Sequence, residues 1–566
     1  MDNCIHFTLT YKNYKEFIMN ASIFSKIVAL LLISMMLLTA VGCDMASIFG
    51  DMMIDEGNGI NQADTSELGK YTGIGKETES TSRETAEAPT EIAGEETDVC
   101  LPEDTAEPEF SLPIGELDFE GKDISILCTL QQDTPNEWKF TATEDQVDAV
   151  ITKVNQKVMN DLNLSMSTTT ITYNGNYTDY TSRVIEMITQ DVVAAINEFE
   201  ISSNYATATA APSIRDYAAN LLDEDLFPYL DFSLPCWNAS FVKNNTVRGR
   251  LHYVVGDIGT SNIDSAVVMW HNEDLYNMHR EDGDPENLQE LVLEGGWTYD
   301  VLNDWTKRLY FDLDGLAGIT PDDSFALIAP AQNSYYRNAF ASAWDLRFVE
   351  DNGTGTHSLC VDTAALQTAL NNFNTLFSNY GTSTKSTVTN FANGNSLFYI
   401  GRLDEGYKNG SILKESEIMN TASCSLLPLP KFSINQESYK TALVDDHTLL
   451  LVLKHDNPDG EAISAFLQYS AELWNQHFKP YYVDSHILLK NLTHTGDQHA
   501  RTQVILKDIL DNIDYDYENV YSPQLSNVTN LWTQAITSGQ NISSLYRSNE
   551  LNYMAAISDT DTWFKS

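Results

Sequence analysis

The sequence predicts an α/β fold with a largely parallel sheet, preceded by an export segment and a long acidic spacer. Three observations carry that reading. From Gly121 onward, strand-length apolar runs alternate with runs whose apolar residues recur at helical spacing. Upstream, a small-residue box, Leu38-Thr39-Ala40-Val41-Gly42-Cys43, closes a long apolar run. Between the two, Asp44 to Glu120 holds 21 acidic and 3 basic residues.

The apolar run, Phe24 to Leu38, is broken only by Ser25, Lys26 and Ser34. A charged flank, an apolar core and then small residues is the order of a signal peptide. The core is too short to favour a spanning helix. Counted from Met1 the signal is unusually long and from Met19 it is ordinary, so residues 1–42 read as a signal whose true start is Met19. Cys43 then becomes the first residue of the exported chain. The box resembles that of bacterial lipoproteins, and this implies thioether-linked diacylglycerol on Cys43 as the lipidation site. Two acyl chains anchor stably where one is marginal, since each buried methylene contributes about 0.8 kcal/mol.

Residues 43–120 are too acidic and too poor in aromatics to bury a core, so they are expected to be a lipid-anchored, disordered and self-repelling linker. Gly73-Ile-Gly75-Lys76 lacks the spacing of a phosphate loop. The whole chain of 566 residues carries a formal charge of -48, which argues against nucleic acid or anionic lipid as partner. Of the 7 cysteines, Cys100, Cys128, Cys236, Cys360 and Cys424 are scattered, without metal-ligand spacing, and read as free thiols.

The elements follow in order. Gly121 to Cys128 reads as a strand. Thr143 and Gln146 suggest a capping box before a helix, because Val147, Val150, Val154, Val158 and Leu162 share one face. Thr168 to Tyr173 is rich in β-branched residues and reads as a second strand. Helices are expected over Tyr180 to Ile188 and Ile214 to Leu222.

Further motifs run Leu230 to Asn238, Arg248 to Asp257 and Val267 to Tyr276, then Glu294 to Asp300, Phe391 to Phe398, Leu427 to Lys431, Pro480 to Asp484 and Leu488 to Lys490. In that order they resemble those of type 1 extracellular solute-binding proteins of ABC importers, the maltose-binding-protein-like family. It implies a two-lobed periplasmic-binding-protein-like fold of class II, its lobes joined by crossing hinge segments. The implied first lobe is 121–262 and 441–492; the second is 263–440 and 493–566. Crossings are expected near Gly256 to Ile263, Lys440 to Ala442 and Lys490 to Gly496. Asp300 is placed to favour the positive end of a helix, and Gly394 to make a turn.

Catalytic motifs are sparse, with no H-E-x-x-H or G-x-S-x-G. Asp312-Leu313-Asp314-Gly315 does not fill a calcium loop and reads as a solvated turn. Asp445-Asp446 with His447 suggests an acid/base set, but neighbours on a strand point to opposite faces. Sugars present an apolar face ringed by hydroxyls, so their sites pair aromatic platforms with a few polar groups. Trp138, Tyr205, Trp344 and Arg402 stand where the family's cleft is expected, and are the ligand-binding candidates. Trp237, Trp270 and Trp297 read as packing residues. The implied function is a lipid-anchored, non-enzymatic receptor on the outer face of the cell membrane. Such a receptor is expected to capture a small solute, a sugar or oligosaccharide being the preferred class, for an ABC permease, with no cofactor and no metal. A secreted glycan hydrolase and a surface adhesion or sensor protein are the alternatives.

Overall fold

The computed structural model describes residues 83–86, 110–131, 137–141, 145–331, 335–455, 459–492 and 494–565. The signal segment, Cys43 and most of the acidic linker lie outside them. No helix among the described residues is long and apolar enough to cross a membrane.

The chain builds two sheets. Strands β1 (Arg83–Ala86), β2 (Lys122–Gln131), β3 (Leu164–Tyr173) and β4 (Ile201–Tyr205) come first. Then come β5 (Val267–Asn272), β6 (Tyr310–Phe311) and β7 (Ser324–Ile328), a small hairpin of β8 (Val349–Asp351) with β9 (His357–Leu359), and β10 (Thr382–Ser383), β11 (Ser396–Arg402) and β12 (Cys424–Leu427). The last strand is β13 (Thr448–Val452). The first sheet has the order β1-β3-β2-β4-β13; the second is β10-β7-β11-β5-β12, with β6 beside β7. In the first, β3, β2 and β4 run parallel, and β1 and β13 flank them antiparallel. In the second, β10, β7 and β11 are parallel and β5 opposes its neighbours. The α/β prediction therefore holds, with a parallel centre and antiparallel margins in place of a uniformly parallel sheet.

Burial explains the strand patterns. Every residue of β4, β5, β7 and β13 is buried, as strands covered on both faces require, and in β4 this includes Ser202, Ser203 and Asn204. Trp237, Trp270 and Trp297 are core residues at 2%, 0% and 0% exposure.

Several local expectations shift. The helix after β2 runs Gln146–Leu162 and is capped by Asp145, whose carboxylate accepts from Val147 N and Asp148 N. Thr143 lies outside the described residues. The next helix is longer than expected, Tyr177–Val193, capped by Asn176. Ile214 to Leu222 is not a helix beyond the short turn Arg215–Tyr217. Ala218 is extended and bridges Leu453, and Ala219 N donates to Val452 O, so a partner far along the chain overrides local helix preference. Packing also reaches back into the stretch assigned to the spacer: Leu112 is buried, Phe110 meets Tyr469 edge-on at 5.0 Å, and Ser111 N donates to Glu472.

The chain passes from the first sheet to the second between β4 and β5, and returns between β12 and β13. These passages lie side by side. Ala266 and Leu443 form an antiparallel bridge, Val267 N donates to Ala442 O at 2.9 Å, and Val444 N to Ser265 O at 3.0 Å. A third passage starts from the helix Gly460–Leu473, which packs on the helix Gln146–Leu162. It widens into π-helical turns over Trp474–Phe478 and Tyr481–Asn491, and ends in the helix Gly496–Asp511 against β12.

Candidate functional site

Strand register decides which residues share the edge of the first sheet nearest the passages. Tyr173 ends β3 opposite Gln131 of β2, and Tyr205 ends β4 opposite Thr448, the first residue of β13. Between Tyr173 and the next helix the chain turns at Gly175, at φ 92, a conformation open to glycine at little cost. Asn176 then accepts from Thr178 N and Asp179 N, which fixes the first turn. The tight turn brings the Tyr173 and Tyr177 rings to 4.9 Å. The Tyr205 ring lies 5.4 Å from Tyr173, 6.3 Å from Tyr177 and 4.9 Å from Tyr180. Beneath this group the Tyr180 hydroxyl donates to Asn204 Oδ1 at 3.1 Å and accepts from Tyr205 N at 3.2 Å. Tyr180 and Tyr205 are buried, while Tyr173 and Tyr177 are half-buried. The result is an aromatic surface anchored from below.

Facing it is the end of β11. Arg402, opposite Val267 of β5, donates from Nε to Asp404 Oδ1 at 2.9 Å and from Nη2 to Asp404 Oδ2 at 3.1 Å. Its Nη1 donates to Asp446. Ser265 Oγ donates to the other Asp446 oxygen at 2.9 Å. The backbone N–H of Arg402 donates to Glu405 Oε1, and Tyr399 Oη to Glu405 Oε2. All three guanidinium nitrogens thus have carboxylate partners. Asp446 stands two residues before Thr448, the partner of Tyr205, and Ala206 N donates to His447 O at 2.9 Å, so the bond from Arg402 to Asp446 brings the end of β11 to the Tyr205 end of the first sheet.

Asp445-Asp446 is not a strand. The pair forms a turn in which His447 N and Nδ1 both bond Val444 O, at 3.2 and 2.8 Å. The two carboxylates still part company: Asp446 is buried on Arg402, while Asp445 is exposed. Desolvation nevertheless raises the Asp445 carboxyl, with His447 opposing and Asp446 adding to the shift. Burial likewise lowers the His447 imidazole, which favours its neutral form.

Two further carboxylates brace the passages. Asp264 Oδ1 accepts from Tyr407 Oη at 2.5 Å and Tyr482 Oη at 2.6 Å, joining the first passage, the segment after β11 and the third passage. Burial, with Asp404 nearby, pushes Asp264 up to about 6. Glu137 accepts from Ser261 N at 3.4 Å, and burial pushes it up to about 7.

Of the four ligand-binding candidates, Tyr205 and Arg402 come together here. Trp138 is 2% exposed and stacks on Phe466 at 5.9 Å, beside Glu137 at the passage. Trp344, 3% exposed, packs with Tyr299, Phe340, Phe432 and Trp532 in the helical layer of the second sheet. Tyr173 and Tyr177 were not among the candidates. Their signal was the Tyr-Asn-Gly-Asn-Tyr turn between strand and helix, which folds two aromatics onto one face. The turn Asp312-Leu313-Asp314-Gly315 is closed by its own bonds, Gly315 N to Asp312 and Leu316 N to Asp314. Asp312, Asp314 and Asp323 offer carboxylate oxygens within 4.8 Å of one another.

No family model and no curated protein matches the sequence. Solved structures of similar course exist at low identity. The sugar-binding protein MalE from Xanthomonas citri aligns with a TM-score of 0.47 and 12% identity, over 79% of this chain and 100% of that one. An ABC substrate-binding protein from Listeria monocytogenes, in complex with cycloalternan, gives 0.47 and 12%, over 77% and 99%. The galacto-N-biose/lacto-N-biose I-binding protein of an ABC transporter from Bifidobacterium longum gives 0.47 and 9%, over 78% and 98%. The solved structures to which this chain is similar are thus sugar-binding and ABC substrate-binding proteins.

Proposed function

We propose that this chain is a solute-binding protein that closes its two sheet layers around a small molecule, carbohydrate being the preferred class, and delivers it to an ABC permease. The observation that carries the reading is the meeting of a tyrosine surface on the first sheet (Tyr173, Tyr177, Tyr205) with the Arg402 end of the second, beside paired crossing segments. Aromatic faces and fixed hydrogen-bonding groups suit a sugar ring. Few crossings permit rotation, and a ligand touching both layers favours the closed form through contacts that the open form lacks. Trp138 and Trp344 complete the proposed ligand-binding set as supports of the two walls. The lobe limits proposed are 121–262 with 441–492, and 263–440 with 493–566. Lipid on Cys43 holds the protein at the outer face of the membrane.

A thermal-shift screen of the full chain against a saccharide library tests this. Binding confined to the folded state adds about 2.7 kcal/mol at a hundredfold excess over Kd. A dose-dependent rise in Tm, with compaction seen by small-angle scattering, is the expected result. A library that leaves Tm unmoved counts against the carbohydrate class, and binding without compaction counts against closure.

A further inference from the structure

Beyond the third passage the chain does not stay with the second sheet alone. After the helix Gly496–Asp511, Asp514 N donates to Thr441 O at 2.8 Å beside the second passage. Asp516 then accepts from Asn244 Nδ2 at 2.6 Å through one carboxylate oxygen and pairs with Arg347 through the other. Asn244 belongs to the helix Ala239–Asn245, ahead of the first passage, and Arg347 stands just before β8. Further on, Gln524 Nε2 donates to Tyr253 Oη at 2.9 Å, next to the bridge of Val254 with β13. Trp532 Nε1 donates to Arg337 O at 2.9 Å in the helical layer of the second sheet. The last helix, Ile542–Trp563, repeats the pattern. Asp559 and Asp561 lie about 200° apart on it, whereas Asp559 and Trp563 share a face. Asp559 pairs with Arg215 at 2.7 Å, and Trp563 stacks on His252 at 4.3 Å. Both partners flank β13, since Ala218 bridges Leu453 and His252 Nδ1 bonds Ala219 O at 3.0 Å. On the opposite face Asp561 accepts from His357 N and bonds His357 Nδ1, each at 2.8 Å, on β9.

We infer that the segment from Asp514 to Phe564 is a clasp, anchored on the second-sheet side and latched onto the first-sheet side, that holds the two at a set angle. This rests on the rotation in the proposed function and names what restrains it. Rotation about the passages moves Arg215, His252 and Tyr253 relative to Arg337 and His357, and a helix standing between them cannot follow both. The first-sheet face is the one that lets go. The last helix packs along the helix Thr363–Ser378 and against β9, while side chains near its end hold the first-sheet side. Of those, the Arg215–Asp559 pair contributes little, because the Asp559 side chain is 64% exposed; the buried His252–Trp563 stack carries more.

Double electron–electron resonance on the full chain, without any solute, tests the clasp. Nitroxides are carried on ketone-bearing residues in place of Val193 and Tyr380, two exposed positions on the first-sheet and second-sheet sides. Wild type is expected to show one dominant distance. Trp563→Ala removes the stack, and Arg215→Gln with Tyr253→Phe removes the ion pair and the acceptor of the Gln524 bond without opening a cavity. Each should raise the population at other distances about fivefold to tenfold, with an unchanged circular dichroism spectrum. Leu551→Ala, exposed on the same helix, should leave the distribution as it is in wild type. Should Trp563→Ala lose its helical spectrum, the volume-conserving double variant decides alone. A wild-type distribution in that double variant overturns the clasp, and so does equal dispersal in Leu551→Ala or a wild type already spread over several distances. None of these results touches the saccharide screen, which decides the solute-binding reading separately.

Discussion

Arg402, at the end of a second-sheet strand, donates a hydrogen bond to Asp446, two residues before a first-sheet strand. One guanidinium therefore ties the end of a second-sheet strand to the segment that leads back into the first sheet. The tie is buried and Asp404 completes it, so its energetics follow from what is left behind when one member goes.

Removing the guanidinium strands two buried carboxylates. Arg402→Ala is expected to cost about 3–5 kcal/mol of stability. The double variant Arg402→Met, Asp446→Asn should recover part of that loss, because it removes charge as well as its partner. Urea denaturation of the single and double variants measures both. A cost below about 1 kcal/mol for the single change would show the pair to be solvent-screened, as surface pairs are.

Acid should stabilise the passage region. Asp264 is pushed up to about 6 and Glu137 up to about 7 in the folded chain, above the values of 3.8 and 4.5 of free carboxyls. Between the free and folded values the folded state holds the extra proton. Stability is therefore highest below the free values and falls as pH rises through about 4 to 7. Asp264→Asn and Glu137→Gln should each flatten that slope. Urea midpoints at pH 4.5 and pH 7.5 check it, and parallel slopes in wild type and variants would refute it.

The two tryptophans separate stability from recognition. Trp138 and Trp344 are almost wholly buried, so replacement by Ala should cost about 3–5 kcal/mol in folding. Tyr177 is half-buried in the tyrosine surface, and Tyr177→Leu should cost less in folding but weaken solute binding about tenfold or more. Thermal melts and calorimetry on the same preparations give both numbers. A tight-binding Tyr177→Leu variant would move the site elsewhere.

The anchor makes an independent prediction. Cys43→Ser should release the chain from the membrane fraction, because the proposed acyl chains are its hold on the bilayer. Fractionation followed by mass spectrometry of the N-terminal peptide tests this. Processed Cys43→Ser protein that stays with the membrane would show another attachment.

Much of the scaffold was readable from local pattern. β2 and the helix after it follow from their apolar pattern and β3 from its β-branched residues, Asp300 sits in the first turn of the helix Tyr299–Arg308, and Gly394 turns at φ 80. The site was less readable, since it depends on pairing across the chain. Tyr205 reaches its place by lying opposite Thr448, and Ala218 leaves the helix that its sequence suggests to pair with Leu453. Asp445 and Asp446 part because a turn held by Val444 directs them, where the sequence suggested a strand. Arg402 was singled out, but its occupation by Asp404 and Asp446 comes from a fold that no local spacing encodes.

The strand Arg83–Ala86 belongs to the acidic stretch yet runs along the open side of β3, while Val254 and Ala218 bridge β13 at the opposite side. Unpaired strand borders invite pairing by foreign chains. Here the protein's own segments take up those positions at both margins of the first sheet. Along Met166–Thr169 of β3, and at Leu450 and Leu453 of β13, a second copy or an extended peptide therefore meets backbone that is already paired.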